Sequence, residues 1–492
     1  MEENIKDRNI VFSEKYVDEQ LKSINAMLTE RNYSLSKNIQ ALNSDINRPR
    51  QISRSNIRRA VTNPYANVDT LQQASMLLKA TNGIYKRLLN YHSKMLMNDY
   101  IIYPLNADKI KTPEKMQKAY YEMATWIERF NVKDTTSWIT ERVLEQGELY
   151  LYKIEDSNGI LLQEIPNNYC KVTSRINDTI LLYGVDLTKL NDNNILAFPN
   201  ELQLVYKKFK NGSLKKDKLI DGKYYELTKN AIAFNMDRNS SKGVPFYCTI
   251  FDDLMELEDM KDLKSENAVI ESIKLIHQKL PIDKDTGQVL MDFSVASQYH
   301  QATKSNLPKG TCITTNPLDL QALVLSDNSN KIGTYVAQSL NNIYDTAGIN
   351  TELFNGDKSS NQAIINGIVA DTFIAKAIQQ MVQNWLNYEL SLNKKNGTAW
   401  GLRFLGNTEF NKDEVAKANR EDMAYGGSRL EYLASKGYTP LQGLSVFKME
   451  SMLGLDQLLV PQATSHTQSG DVDNESGRPE EVNSDNDTEA NV

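Results

Sequence analysis

Apolar side chains recur at three- and four-residue steps from Leu71 to Met97 (Leu77, Leu78, Ile84, Leu88, Tyr91, Met95), and this spacing predicts a helix. Further helices are predicted from Pro113 to Phe130 and from Thr135 to Glu145. A sparser stripe (Val17, Leu21, Ile24, Leu28) predicts a surface helix within Phe12–Ser44. From Glu148 to Phe234 the pattern shortens. The stretches LYLYKI, IPNNYCKVTS, TILLYGV, ELQLVYKKF and GKYYELTKNAIAFN cluster β-formers between turns such as Asp156-Ser157-Asn158-Gly159 and Asn211-Gly212. Short connections favour antiparallel pairing there. After Gly243-Val244-Pro245 the helical period returns over Thr249–Leu280 (Ile250, Leu254, Leu257, Met260, Leu263, Ile270, Ile273, Ile276). A small α/β insertion is expected from Pro281 to Asn330, with strands at Gln288–Ala296 and Thr311–Thr315. Then follow a helix over Lys331–Thr346, a loop from Gly348, a long helix over Ser360–Leu392 and a strand at Thr398–Leu405. Three short helices close the pattern: Asp413–Ala424, Ser428–Ser435 and Leu441–Met452. The predicted class is α+β, predominantly helical. No internal repeat is present.

Composition narrows this picture. The 492 residues are 40% hydrophobic, enough for real cores, and their length suggests two to four structural regions. No run of about 18 apolar residues occurs, so no membrane span is expected, and Met1–Phe12 lacks the pattern of a secretory signal. The cysteines Cys170, Cys248 and Cys312 are too few and too scattered for a disulfide framework or a zinc site, so a reducing compartment is expected. The formal charge of −7 is uneven: from Gly470 to Val492 eight acids face the single base Arg478, which leaves the rest of the chain neutral. That tail holds too little apolar surface to offset the entropy of ordering and is read as disordered. A neutral body does not bind nucleic acid by bulk charge, so local patches would have to handle any such partner.

Two charge clusters stand out. Arg48, Arg50, Arg54, Arg58 and Arg59 form a basic arm with no acid among them. It reads either as a solvated segment or as a clamp on phosphate or on the acidic surface of a partner. The opening of the Thr249–Leu280 helix carries Asp252, Asp253, Glu256, Glu258, Asp259 and Asp262. Acids there complement the helix dipole, or they form a face that repels polyanions. Catalytic signatures are scarce. His92, His277, His300 and His466 are isolated, and no HExxH, GxSxG or GxGxxG occurs. Gly356-Asp357-Lys358-Ser359 fails as a phosphate loop because Thr351 stands where the first glycine belongs. Asp471–Glu475 fails as a calcium loop because its glycine is displaced and its closing glutamate is missing. No catalytic, cofactor or metal residue is assigned. Asp252, Asp253 and Glu256 leave a metal-dependent DNA-processing enzyme as a remote alternative.

The order of elements from Gly243 to Leu405 resembles the portal (head-to-tail connector) proteins of tailed double-stranded-DNA bacteriophages. Thr249–Leu280 is similar to the first stem helix, 281–330 to the clip and Lys331–Thr346 to the returning stem helix. Gly348-Ile349-Asn350-Thr351-Glu352-Leu353-Phe354-Asn355-Gly356, leading into the long helix, looks like the tunnel loop. Upstream, Ala80–Arg87 and Asp99–Pro104 are similar to the wing. The likeness covers most of residues 70–410. It implies an N-terminal arm (1–69), a wing (70–248, completed by 362–410), a helical crown (411–465) and the acidic tail (466–492). It further implies a ring, usually a dodecamer, at a capsid vertex of the virion, assembled in the host cytoplasm. Double-stranded DNA would pass through it without sequence specificity. Implied partners are the terminase large subunit, a head-tail adaptor protein, and the major capsid and scaffold proteins, with no cofactor, membrane or catalysis. The tunnel loop would face DNA with Asn350, Thr351, Asn355, Lys358, Ser359, Ser360 and Asn361, and the channel would be lined by Asp252, Asp253, Glu256 and Asp259. A second reading is another phage minor head or adaptor protein, although such chains are usually much shorter.

Overall fold

The computed structural model describes residues 52–454, apart from residues 111, 157–158, 228–229, 273, 284, 286–288, 306–310, 317–328, 350–360 and 394–397. The expected helix within Phe12–Ser44, Arg48, Arg50 and the acidic tail lie outside these residues. The chain divides into two compact units, Met1–Leu441 and Gln442–Val492. Of the second, only the stretch to Gly454 is described, and it is mostly helical.

The fold is α+β and mostly helical. The helices at the start of the first unit are α1 (Arg54–Thr62), α2 (Val68–Thr81) and α3 (Gly83–Lys94). The single helix expected over Leu71–Met97 is therefore two. Asn82 ends α2 and caps α3, its Oδ1 accepting from Tyr85 N at 3.0 Å, and such a side-chain cap favours a new start over continuation. Next come β1 (Tyr100–Pro104), which the hydrophobic pattern did not single out, and α4 (Pro113–Glu128) and α5 (Val132–Gln146), close to their expected bounds.

The β-rich region forms a seven-stranded sheet from β2 (Glu148–Glu155), β3 (Ile160–Ile165), β4 (Cys170–Arg175), β5 (Leu181–Asp186), β6 (Leu219–Ile220), β7 (Tyr224–Glu226) and β8 (Ala231–Asn235). Its order is β3-β2-β8-β5-β7-β6, with β4 on β5, and every pairing is antiparallel as the short connections suggested. ELQLVYKKF, expected as a strand, is instead α6 (Asn200–Lys210). Leu202, Val205 and Tyr206 recur at helical spacing and are buried, while Glu201 opens and Lys207, Lys208 and Lys210 close the helix in accord with its dipole.

Alternation along the sheet decides where the cores lie. Leu149 and Leu151 of β2, with Ile232 and Phe234 of β8, point into a large core shared with the helices. Tyr150, Tyr152, Ala231 and Ala233 point the other way, into a second core closed by Leu202, Val205 and Tyr206 of α6. At the end of α5 the backbone crosses the segment before the next helix so closely that a Cβ on Gly147 would stand 2.1 Å from Val244 O. Gly147 also has φ +77, so only glycine fits there without strain. Beside that crossing the buried Glu148 accepts from Gln72 Nε2 (3.0 Å), Tyr150 Oη (2.7 Å) and Gly243 N (2.7 Å).

After this crossing comes α7 (Phe251–Ser272). It ends eight residues before the expected Leu280, and β9 (Lys274–Lys279) replaces its last turns. Ile273 and Ile276 suit either period, and the parallel partner β10 (Thr311–Asn316), more than thirty residues downstream, decides for the strand. The strand expected at Gln288–Ala296 is also corrected. Val289 makes one isolated bridge to Ile282, and α8 (Phe293–Ser305) begins at Phe293. Asp292 starts it by accepting from Ser294 N at 2.9 Å. Thus β9, α8 and β10 form a βαβ unit inserted between α7 and α9 (Ser329–Thr346).

The long helix α10 (Asn361–Leu392) has 32 residues, about 48 Å at 1.5 Å per residue. Its Trp385 packs edge-on against Phe130 (5.7 Å between centroids) and Phe234 (5.9 Å). Strand β11 (Trp400–Phe404) pairs antiparallel with β1. Two amide side chains of α10 bond to the β11 backbone: Asn387 Oδ1 accepts from Leu402 N at 2.7 Å, and Gln383 Oε1 from Phe404 N at 3.0 Å. The chain continues through α11 (Lys412–Ala424), α12 (Arg429–Ser435) and α13 (Pro440–Leu453).

Candidate functional site: a helix pair, its insertion and its arginine clamp

Helices α7 and α9 pack side by side, with Ser339 Oγ 3.6 Å from Met260 Sδ. Burial fades along both. Leu254 and Leu257 are fully buried while Leu263 is 49% exposed; Ile343 is fully buried while Tyr335 is 58% exposed. The buried ends are the start of α7 and the end of α9, so the two form an antiparallel pair that leaves the core and carries the βαβ unit at its far end. Within that unit Thr315 Oγ1 donates to Gln278 Oε1 (3.1 Å) and stands 2.9 Å from His300 Nδ1, joining β9, α8 and β10. A hydroxyl has one proton to give, so His300 Nδ1 carries the hydrogen of the second contact.

The acids of α7 do not face open solvent alone. Asp252, Glu256 and Asp259 recur at four and three residues and so share one helix face. Arg54 of α1 spans all three: Nε donates to Asp252 Oδ1 (2.9 Å), Nη2 to Glu256 Oε2 (3.0 Å) and Nη1 to Asp259 Oδ2 (2.6 Å). Arg58, one turn along α1, donates through Nε to Asp252 Oδ2 at 2.9 Å. Partial burial opposes charge on Asp252, but the hydrogen bonds from Arg58 and Arg54 outweigh it and hold its pKa below the usual carboxylate value. Asp253 lies off this face. Burial raises its pKa, helped by the neighbouring charges of Asp252 and Glu256. Glu258 accepts from Asn82 Nδ2 at 2.8 Å, which ties α7 to the cap of α3.

Arg54 and Arg58 thus clamp an acidic surface of their own chain. Arg54 and Arg58 are brought to the acids, whereas Arg59 donates only to Asn56 Oδ1, at 3.2 Å, among the described contacts. The arginines were legible as a cluster, but nothing local linked them to acids almost 200 residues away. The carboxylates Asp252 and Glu256 do share a face as their spacing requires, and the guanidinium of Arg54 stands between them.

Of the loop candidates, Asn350, Thr351, Asn355, Lys358, Ser359 and Ser360 lie outside the described residues, and Asn361 opens α10. The entry to that segment is fixed. Gly348 (φ +71) ends α9, its N–H donating to Asp345 O (3.1 Å), and Ile349 N–H donates to Tyr344 O (3.0 Å). Both Tyr344 and Ile349 are buried, completing a Schellman cap with its hydrophobic contact.

Of the four histidines, His92 and His300 have described side chains, and they lie in different elements. His92 lies in the core with Nδ1 against Tyr247 Oη, and burial lowers its pKa to about 4. Cys170 and Cys248 are buried free thiols. Sequence reasoning missed the buried ion pairs Lys153–Glu389 and Lys133–Asp99. The first joins β2 to α10 and the second holds α5 against the start of β1. Long-range partners of this kind leave no local signal. Among the described residues no group of three or more His, Cys, Asp or Glu is placed to hold a metal, and no helix is long and apolar enough to cross a membrane. No protein-family model matches this chain, and no curated protein matches it either.

Proposed function

We propose that the chain is the portal protein of a tailed double-stranded-DNA phage, a structural subunit of a ring through which the genome is packaged and ejected. One observation carries the reading: an antiparallel helix pair leaves the core, bears a small βαβ unit at its far end and returns to a segment that opens a 32-residue helix. In a connector these parts would be stem, clip, tunnel loop and the long helix behind it. The exposed Leu290, Phe293 and Tyr299 of the insertion give a copy of the chain, an adaptor or a terminase large subunit an apolar surface to meet. Major capsid and scaffold proteins would be the neighbours around the ring, at the capsid vertex of the virion. The acidic face needs a more specific statement than bulk repulsion. With Arg54 and Arg58 seated on Asp252, Glu256 and Asp259, part of that charge is offset, so a stem built from α7 would repel phosphate less than its six acids alone.

Negative-stain electron microscopy with mass photometry of the purified protein tests the reading. Rings with a central hole and a mass near twelve subunits are expected. A chain that stays monomeric alone and in the presence of its scaffold and capsid proteins would overturn it.

A further inference from the structure

The second core carries a basic knob that the connector reading does not use. Residues 207–218 contain six lysines (Lys207, Lys208, Lys210, Lys215, Lys216 and Lys218) against one acid, Asp217, a net +5 that offsets an equal negative charge on the rest of the chain before Gly470. All six are exposed. Lys210 pairs with Asp192 at 2.5 Å, whereas the other five make no ion pair among the described residues. The knob is built rather than frayed. Gly212 (φ +68) turns the chain back at the end of α6, and Ser213 N and Leu214 N donate to Lys208 O at 2.9 and 3.2 Å. Phe209, Leu214 and Leu219 pack on the second core, so the lysines between them are held outward. The helix dipole accounts for Lys207 and Lys208 in the last turn of α6, but not for Lys215, Lys216 and Lys218 beyond it.

We infer that this knob binds the phosphate backbone of duplex nucleic acid, without reading its sequence. Its free cations are all lysines, point charges without the bidentate fork that reads base edges. No aromatic side chain of residues 207–218 is exposed to stack on an unpaired base, which disfavours single strands. Lysine is depleted in protein–protein interfaces, and the knob exposes no apolar anchor of the kind such interfaces centre on. What remains suited to it is a regular polyanion.

The test is fluorescence anisotropy of a labelled duplex of about 30 base pairs with the full chain, at stepped sodium chloride. Five unpaired lysines on phosphate give a slope of log affinity against log salt of about −4.5. The variant K207Q/K208Q/K215Q/K216Q/K218Q is expected to keep the wild-type melting temperature, because every changed side chain is exposed. It should bind at least about tenfold more weakly at low salt with most of that slope gone. K115Q/K118Q, exposed lysines of α4, should bind as wild type. Equal binding by wild type and the five-site variant would overturn the inference. So would a wild-type protein that ignores the duplex but binds polyglutamate, which would mark the knob as a dock for an acidic protein. Neither result depends on whether the chain forms rings.

Discussion

Single residues here are decided by partners far away in sequence. Arg54 is the clearest case, one guanidinium with three carboxylates at 2.6 to 3.0 Å. Its own side chain is 30% exposed and those of its partners are 24 to 68% exposed, so screening trims the contacts. Arg54→Ala is expected to cost about 1–2 kcal/mol in urea melts at low salt. The cost should shrink as sodium chloride is raised, and a cost independent of salt would show that the contacts are not electrostatic. His92 makes a pH prediction. Its folded pKa of about 4 lies below the ordinary 6.5, so between these values the unfolded chain binds the extra proton. The stability at stake is fully present above pH 6.5 and is lost as pH falls towards 4, by about 3 kcal/mol in total. His92→Phe should flatten this part of the stability profile, measured by thermal melts across the same window. An undiminished slope in the variant would assign the acid sensitivity to other groups.

Elements were legible in proportion to how local their causes are. The long helix, the helix at Lys331–Thr346 and the three C-terminal helices appear within two residues of their expected ends, because a single helical period runs through each. Errors arose where two periods coincide. Leu202, Val205 and Tyr206 satisfy a helix, yet the surrounding β-branched and aromatic residues also suit a strand. At Lys274–Lys279 a partner strand that local pattern cannot reveal overrode the helical stripe. At Asp292 the cap was readable in the sequence, but the alternation of Val289, Met291, Phe293 and Val295 hid it. The segment between Ile349 and Asn361 bears the element-scale prediction. Its entry is locked by the Gly348 cap, and the long helix opens at Asn361. Deleting Asn355–Ser360 is expected to leave ring assembly intact while impairing packaging or DNA retention, scored by particle counts and encapsidated DNA. Collapse of the ring on this deletion would count against a tunnel loop.

At the scale of the molecule, composition revealed the charge split but not its use. The eight acids after Gly470 carry the formal charge, and the folded part then balances its own: Arg54 and Arg58 on α7, Lys153 on Glu389, Lys133 on Asp99. Because that balance is internal, removing Gly470–Val492 should leave the melting temperature unchanged in thermal scans. A drop of several degrees would mean that the tail supports the fold.

The sheet that separates the two cores has one more consequence. Strands β2 and β8 give alternate side chains to opposite cores, so neither core can lose its packing without stripping one face from the strands the other needs. The two hydrophobic clusters are therefore expected to melt as one foldon, with the amides of Leu149–Tyr152 exchanging only on opening of both cores in native-state hydrogen exchange.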